Sequence, residues 1–422
     1  MPKLRCFSKL AGSFKPLPIN ALAEAVKDKM LTTKGIINFT IGDFSPKHFP
    51  IPKELKSELT KAYRSSCTNY PTVSGMKKLR EAIAHHLKIQ GKYDYQPNEI
   101  MVASGSRPLI YLLYKALIDP KDRVIYTTPS WNNEQFVKLA RATPIVIRTT
   151  AKNNFLPTYA DLKPHLSQAT MIMLNIPSNP TGTSFEPESL KKILSSIVKE
   201  NKKRLSSNHK PLYLCLDLVY WLISYQQPLL NPILLCPEIR KYIVFIDGIS
   251  KCFAATGLRI GWAFGPSSLI EKMSLLNSYL GAWPAKPSQV ALTNYLYQQD
   301  NITDYLTKLK SSLAERIKIL ASKLLTLKAR GYKIEVIKPY GAIYLAVKLD
   351  LIGLRTKEGL KINTTDNIKD YLLQSAKVAI IPFYLFGTPK QLPWFRLAVS
   401  GCSINEATTA AANLVEAITK LS

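Results

Sequence analysis

The chain lacks the features that mark membrane and secreted proteins. It has no run of about 18 consecutive apolar residues, so we expect no membrane-spanning helix. Its first residues are partly basic but include no apolar stretch with a small-residue cleavage site, so no secretory signal is predicted. Its 6 cysteines form no Cys-x-x-Cys pair, which is typical of reduced thiols in the cytoplasm. The cysteines are Cys6, Cys67, Cys215, Cys236, Cys252 and Cys402.

Histidine is scarce, and its positions do not fit a metal site. The 5 histidines show no metal-ligand spacing, so no metal is predicted. His85 and His86 are adjacent in an amphipathic helical pattern over 77–87. We interpret both as surface or packing residues without a catalytic role.

Acidic residues are few relative to basic ones. The 57 Lys and Arg residues exceed the 29 Asp and Glu residues, which leaves a formal net charge of +28. Lysine is spread along the chain, whereas a nucleic-acid-binding surface would need a basic stripe with interleaved aromatic residues. We interpret the charge as a solvated surface, and we expect no specific nucleic-acid partner and no membrane partner.

The first 300 residues have the pattern of an α/β protein. Apolar, β-branched runs alternate with helical patterns, which predicts a mainly parallel sheet. The predicted strands cover 100–103, 123–126, 144–148, 170–175, 212–216, 242–246 and 258–264. The link between the last two strands is too short for a crossover helix, so one of them should be antiparallel to its neighbour.

The pattern changes to α+β near residue 301. A long helix is predicted over 301–329, and short strands and two further helices follow. These strands cover 333–337, 343–347, 379–381 and 395–399, and the helices cover 367–376 and 404–421. We predict a large domain over 51–292 and a smaller one that combines 1–50 with 293–422.

Four motifs carry polar residues near the ends of predicted strands. They read NIPSNPTG at 175–182, LDLVY at 216–220, DGISKCFAATGLRIGW at 247–262 and FRLAVSG at 395–401. Ligands of open α/β sheets bind beyond the carboxyl ends of the strands. We therefore expect the polar side chains of these motifs to meet at one edge of the sheet. They are Asn179, Asp217, Tyr220 and Lys251.

These motifs, in this order, resemble those of class I aminotransferases, which depend on pyridoxal 5′-phosphate (PLP). The matching segments span about residues 36–401, and SGSRPLIY and GAWPAKPSQ are similar to bacterial aspartate aminotransferases. The resemblance implies the fold-type-I architecture, with a seven-stranded sheet in a large domain and a smaller α+β domain. It also implies a homodimer that moves an amino group between an amino acid, expected to be acidic, and a 2-oxo acid.

The resemblance implies a role for each residue at the cofactor ring. Lys251 would form the Schiff base, because desolvation beside cations lowers the pKa of a lysine, and it would then move the substrate proton. Asp217 would keep the pyridine nitrogen protonated. Tyr220 and Asn179 would donate hydrogen bonds to the ring oxygen, and Trp131 would stack on the ring.

The resemblance also implies a phosphate site and a substrate site. Small residues at a helix N-terminus can bind phosphate, and Tyr70 would reach it from the neighbouring subunit. The implied phosphate ligands are Ser104, Gly105, Ser106, Ser250, Arg259 and Tyr70. Arg396 and Gly42 would bind the substrate α-carboxylate, since the planar fork of arginine suits two parallel hydrogen bonds, and Asn179 is also an implied substrate-binding residue. Lys286 or Arg107 would bind the distal carboxylate of an acidic donor.

Two alternative functions stay open at this point. Lyases and synthases of the same fold, such as carbon–sulfur lyases and aminocyclopropane-carboxylate synthases, have the same Lys, Asp, Asn and Arg set. The other alternative is a non-enzymatic nucleic-acid-associated protein or regulator. The segment before residue 36 is too short for a winged-helix module, which argues against a regulator of this kind.

Overall fold

A computed structural model describes residues 7–226 and 228–422 of the chain. Cys6 and the first residues of the predicted N-terminal segment lie outside the described residues. Within the described ranges, no helix combines the length and the hydropathy that a membrane span requires.

Helices and strands alternate along most of the chain. The α-helices are α1 (Lys9–Gly12), α2 (Pro18–Thr32), α3 (Lys53–Arg64), α4 (Lys77–Gly91), α5 (Ser106–Leu117), α6 (Asn133–Leu139), α7 (Tyr159–Leu162), α8 (Pro187–Ser206), α9 (Pro232–Leu235), α10 (Ile249–Cys252), α11 (Ser267–Leu280), α12 (Lys286–Leu296), α13 (Gln299–Ala329), α14 (Thr365–Ser375) and α15 (Ile404–Thr419). The strands are β1 (Ile37–Asn38), β2 (Ile100–Ala103), β3 (Arg123–Thr128), β4 (Thr143–Arg148), β5 (Ala169–Asn175), β6 (Tyr213–Asp217), β7 (Ile243–Gly248), β8 (Gly261–Phe264), β9 (Ile334–Ile337), β10 (Tyr344–Leu349), β11 (Val378–Ala379), β12 (Ile381–Pro382) and β13 (Trp394–Ala398).

The central sheet has seven strands in the order β2-β8-β7-β6-β5-β3-β4. Strand β8 is antiparallel to both of its neighbours, and the other pairings are parallel. The predicted α/β fold with a mainly parallel seven-stranded sheet is therefore confirmed, and so is the antiparallel strand after the short link. The strands are apolar along nearly their whole length because helices cover both faces of such a sheet.

Several predicted strand boundaries in this sheet differ from the structure by one or two residues, and the largest error is at the start of β8. The prediction began the last strand at residue 258, whereas β8 begins at Gly261. A short 3-10 turn occupies Thr256–Leu258, and Arg259 has a left-handed backbone with φ of 53°. A left-handed residue cannot continue a strand, so pairing starts only after it.

The C-terminal part of the chain builds a second sheet in the order β12-β13-β10-β9. The single strand predicted over 379–381 is wrong, because the chain changes partner there. Strand β11 pairs in parallel with β1, and β12 pairs antiparallel with β13. The pairing of β1 with β11 joins the N-terminal segment to the C-terminal part, but the predicted domain boundaries stay a prediction.

His86 packs inside the molecule. It lies on α4, is fully buried, and its ring centroid is 6.3 Å from that of Phe253. Burial lowers its pKa to about 3, so the ring is neutral at neutral pH. Neither of its nitrogens has a hydrogen-bond partner among residues 7–226 and 228–422, which agrees with a packing role.

Candidate active site

A cavity of about 610 Å³ lies at the carboxyl edge of the central sheet. Strands β5 and β6 end there in register, with Asn175 opposite Asp217, and the short helix α10 after β7 carries Lys251. Because parallel strands end at the same edge, motifs far apart in sequence meet in this cavity. The predicted site residues that line it are Gly42, Ser106, Trp131, Asn179, Asp217, Tyr220, Ser250, Lys251, Arg259 and Arg396.

Lys251 lies on α10, directly after β7. Its Nζ donates a hydrogen bond of 2.6 Å to the carbonyl oxygen of Gly42. Burial, together with the charges of nearby arginines, lowers the pKa of Lys251 to about 8, although Asp43 acts in the opposite direction. About a tenth of such an amine is neutral at pH 7, so Lys251 can act as a nucleophile and as a base.

Asp217 is the last residue of β6, and its carboxylate faces the cavity. Its Oδ1 accepts a hydrogen bond of 3.1 Å from the backbone N–H of Val219. Burial raises the pKa of Asp217 to about 7, against the opposing effects of that hydrogen bond and of Lys251. A cationic ring nitrogen placed before this carboxylate would stabilise its ionised form, and the carboxylate would keep the nitrogen protonated.

Arg396 is a buried cation with room for an anion. Its Nη1 donates to Oδ1 of Asn179 at 3.1 Å, and its Nη2 donates to the carbonyl oxygen of Thr40 at 2.7 Å. The guanidinium carbon lies 4.7 Å from the ring centroid of Tyr344 and 5.0 Å from that of Phe386. Its Nε has no partner within the described ranges. A buried guanidinium with an unused donor suits a substrate carboxylate.

The start of α5 and Arg259 form one end of the cavity. Arg259 donates to the carbonyl oxygens of Thr256 at 2.8 Å and of Ser104 at 3.3 Å. Gly105 has φ of 94°, and a side chain there would collide with the Arg259 guanidinium. Ser104 and Gly105 therefore shape this end without lining the cavity, whereas Ser106 lines it as the first residue of α5. Free amides and a guanidinium at this end suit a phosphate.

Two residues named from the sequence lie away from this cavity. The side chain of Tyr70 is 85% exposed and makes an edge-to-face contact with Trp283, with 6.3 Å between the ring centroids. Lys286 donates a hydrogen bond to Oδ1 of Asn69. Arg107, by contrast, lines the cavity, and its guanidinium carbon lies 4.5 Å from the ring centroid of Trp131.

Sequence reasoning missed three residues of the site. Asn175 joins the loops after β5 and β6, because its side chain donates to the carbonyl oxygen of Asp217 and accepts from the backbone N–H of Asn179. Asp43 accepts from the Thr256 hydroxyl at 2.8 Å, and Tyr344 lies 2.6 Å from Tyr220, oxygen to oxygen. Asn175 belongs to a motif already quoted and Asp43 follows the predicted residue Gly42, whereas nothing in its local sequence marked Tyr344.

Comparisons with known proteins agree on one family. The family model "Aminotransferase class I and II" matches residues 34–414. The probable aspartate/prephenate aminotransferase of Rickettsia conorii is 32% identical over 379 residues, which cover 89% of this chain and 90% of the relative. The aspartate aminotransferase of Bacillus sp. (strain YM-2) is 30% identical over 388 residues, which cover 91% and 93%. The crystal structure of the aspartate aminotransferase from Rhizobium meliloti superposes with a TM-score of 0.88 at 25% identity and covers 99% of both chains.

The cavity fits the cofactor of this family. PLP has a phosphate, a pyridine nitrogen, a phenolic oxygen and an aldehyde, and each needs a different partner. The arginine and free amides at one end, the buried carboxylate of Asp217 and the amine of Lys251 are chemically matched to the phosphate, the nitrogen and the aldehyde. With a family model that covers nearly the whole chain and a cavity suited to PLP, the protein belongs to the class I and II aminotransferases and is a PLP-dependent enzyme that transfers amino groups.

Proposed function

We propose that the amino donor is acidic, aspartate or glutamate, and that the acceptor is 2-oxoglutarate or oxaloacetate. One observation carries this proposal: besides Arg259, which is assigned to the phosphate, two further arginines, Arg396 and Arg107, line the same cavity. Within residues 7–226 and 228–422, neither has a carboxylate within salt-bridge distance. Two guanidinium groups without a carboxylate partner match the two carboxylates of a dicarboxylic acid. The names of the relatives from Rickettsia and Bacillus support the same substrate class.

The cofactor-binding residues have distinct roles in this proposal. PLP, when bound, supplies a ring that takes up the electron pair left when the substrate α-carbon loses its proton. Asp217 would hold a proton on the pyridine nitrogen, and Asn179 and Tyr220 would donate to the phenolic oxygen. Trp131 would stack on the ring. Ser106 at the start of α5 would hold the phosphate, with Ser250 and Arg259 adding donors and Ser104 and Gly105 shaping the turn.

The substrate is held and deprotonated by other groups of the same cavity. Arg396 binds the α-carboxylate beside the backbone of Gly42, which orients the α-carbon. Lys251 would hold the cofactor through the aldehyde carbon, with loss of water, until the substrate amine displaces it. The freed Nζ amine would then remove the α-proton, since a pKa near 8 makes the neutral form available at neutral pH.

The apoenzyme should capture PLP with a pH dependence set by Lys251. Only the neutral amine attacks an aldehyde, and the pKa of Lys251 is lowered to about 8. The capture rate, followed by absorbance, should rise about tenfold per pH unit below pH 8 and level off above it. A rate that keeps rising to about pH 10 would mean that the amine has the pKa of an ordinary exposed lysine.

Replacing Arg107 by methionine should separate acidic from apolar donors. The side chain of Arg107 is exposed, so losing its charge-assisted hydrogen bonds to a carboxylate costs about 1.5–3 kcal/mol. The kcat/KM for aspartate should therefore fall at least about tenfold. Activity with alanine or leucine should change little, because these donors have no distal carboxylate. Steady-state assays with each donor measure the ratio.

Lys286→Met is the matched control for Arg107→Met. Lys286 lies outside the cavity lining, so its replacement should leave the preference for aspartate unchanged. If Arg107→Met lowers the activity with both kinds of donor equally, Arg107 is a structural residue. If the unmodified enzyme already prefers leucine to aspartate, the acidic-donor proposal is wrong.

We also infer that the enzyme is a homodimer with composite sites. Tyr70 is almost fully exposed and lies outside the cavity of its own chain, so its hydroxyl is free to reach a partner's phosphate site. The cytoplasmic location that we infer is supported by the free thiols of the described residues, such as Cys215 and Cys252.

Mixing two inactive variants should restore part of the activity of such a dimer. Tyr70→Asp puts a negative charge near the partner's phosphate, and Lys251→Ala removes the amine. Random pairing makes half of the dimers hybrid, and each hybrid has one intact site, so about a quarter of the original activity should return. The control mixes Lys251→Ala with Asp217→Asn, whose lesions lie in the same cavity, and should restore nothing. Full activity in a particle that light scattering shows to be monomeric would refute composite sites.

A further inference from the structure

Tyr344 is a buried residue of the cavity that none of the roles above uses. It is the first residue of β10, and its side chain is 1% exposed. Its hydroxyl oxygen lies 2.6 Å from that of Tyr220, and the two rings meet edge to face with 5.5 Å between centroids. The Tyr220 hydroxyl, which is proposed to face the cofactor, is therefore hydrogen-bonded to the phenol of Tyr344.

The same side chain contacts other parts of the site. Its ring lies under the Arg396 guanidinium at 4.7 Å. A side chain at Gly42 would meet the Tyr344 hydroxyl at 2.8 Å, and the carbonyl of Gly42 accepts the Lys251 hydrogen bond. Tyr344 is thus packed among the groups proposed to bind the substrate and the cofactor, while its hydroxyl bonds only to Tyr220 among the described residues.

The number of hydroxyl protons determines the direction of the hydrogen bond between Tyr344 and Tyr220 when PLP is bound. A phenol has one proton to donate. If Tyr220 donates its proton to the phenolic oxygen of PLP, then only Tyr344 can donate within the pair. Burial raises the pKa of both phenols, so both keep their protons through the neutral range. The charged groups that face the pair are Arg396 from β13, Asp217 from β6 and Asp43 from the loop after β1.

We propose that Tyr344 is a positioning residue that acts through Tyr220. Its hydroxyl donates to the Tyr220 oxygen, which leaves the Tyr220 proton directed at the cofactor. A hydroxyl that accepts a hydrogen bond becomes a stronger donor, because successive hydrogen bonds polarise one another. This inference rests on the role proposed for Tyr220, and it assigns a function to a residue 124 positions away in sequence.

Absorbance titration of the holoenzyme without substrate tests the proposal. A hydrogen bond to the phenolic oxygen stabilises its negative charge, so it lowers the pH midpoint at which the bound cofactor takes up a proton. Tyr220→Phe should raise that midpoint by about one pH unit. Tyr344→Phe, which keeps the ring and removes only the hydroxyl, should raise it by about 0.3 pH units. The double variant should match Tyr220→Phe alone, since Tyr344 acts only through Tyr220.

A further variant, Tyr344→Leu, separates the effect of the hydroxyl from that of the ring. Tyr344→Phe should leave KM for the amino donor unchanged, because the ring under Arg396 remains. Tyr344→Leu should raise KM as well, because it removes that ring. Retention of PLP on gel filtration shows that each variant is folded.

The outcomes distinguish this inference from the proposal on which it rests. If Tyr220→Phe shifts the midpoint and Tyr344→Phe does not, the positioning role is wrong and the role of Tyr220 stands. If the shift of the double variant equals the sum of the two single shifts, Tyr344 acts independently of Tyr220 and the proposal is wrong. If Tyr220→Phe itself leaves the midpoint unchanged, both roles are overturned.

Discussion

Lys251→Ala is expected to abolish covalent retention of PLP and to lower transamination by about a thousandfold or more. The variant lacks the only lysine side chain that lines the cavity formed by the described residues. It therefore loses the amine that binds the aldehyde and the base that removes the α-proton. Borohydride reduction followed by peptide mapping measures the first loss, and single-turnover kinetics with aspartate measure the second.

The control for Lys251→Ala is Lys199→Ala, which removes an exposed lysine of α8. It should retain covalent PLP and full activity. If borohydride fixes the cofactor to a different lysine in the unmodified enzyme, the assignment of Lys251 is wrong. Free methylamine added to Lys251→Ala should restore part of the proton-transfer rate, because a small amine can enter the vacated space.

Asp217→Ala should lower transamination by about 10²–10³-fold, far more than it weakens PLP retention. The carboxylate is the partner that keeps the pyridine nitrogen protonated, and without it the ring takes up the electron pair less well. The phosphate and aldehyde contacts do not involve Asp217, so the cofactor should still bind. Equilibrium dialysis gives the affinity for PLP, and single-turnover absorbance gives the rate.

Asp217→Asn tests whether the loss of transamination rate is due to the negative charge of Asp217. The amide has nearly the same volume and can still accept the Val219 hydrogen bond through its oxygen, but it has no negative charge. Asp217→Asn should be about as slow as Asp217→Ala, and both should unfold at a temperature close to that of the original enzyme. Near-normal turnover in Asp217→Asn would refute the role of the carboxylate.

Local sequence patterns predicted the central sheet and the edge at which the site lies. The strand predicted over 100–103 agrees with β2 in full, and the other six predicted strands overlap β3 to β8. Buried parallel strands can be predicted from the sequence because each is a nearly continuous apolar run. The motifs at 175–182, 216–220 and 247–262 end such strands, so their polar residues meet at one edge, as the fold requires.

Contacts between distant segments could not be predicted from local patterns. Tyr344 and Tyr220 are 124 positions apart, and Asp43 and Thr256 are 213 positions apart. Strands β11 and β12 belong to different sheets because β11 pairs with β1 and β12 pairs with β13. A short apolar run does not specify its pairing partner, so this change of sheet could not be predicted. For the same reason the sequence could not decide whether Arg107 or Lys286 would bind the distal carboxylate. In the structure, Arg107 lines the cavity and Lys286 does not.

The half-reaction with L-aspartate in the absence of any oxo acid tests the central claim most directly. Holoenzyme is mixed with excess aspartate, and oxaloacetate and the forms of the cofactor are quantified after acid quenching. An aminotransferase with an acidic donor should yield about one equivalent of oxaloacetate and of pyridoxamine 5′-phosphate per site and then stop, and added 2-oxoglutarate should regenerate PLP with release of glutamate. Continuous release of ammonia with the cofactor still as PLP would indicate a lyase. No reaction with aspartate, together with full conversion by leucine, would contradict the acidic donor.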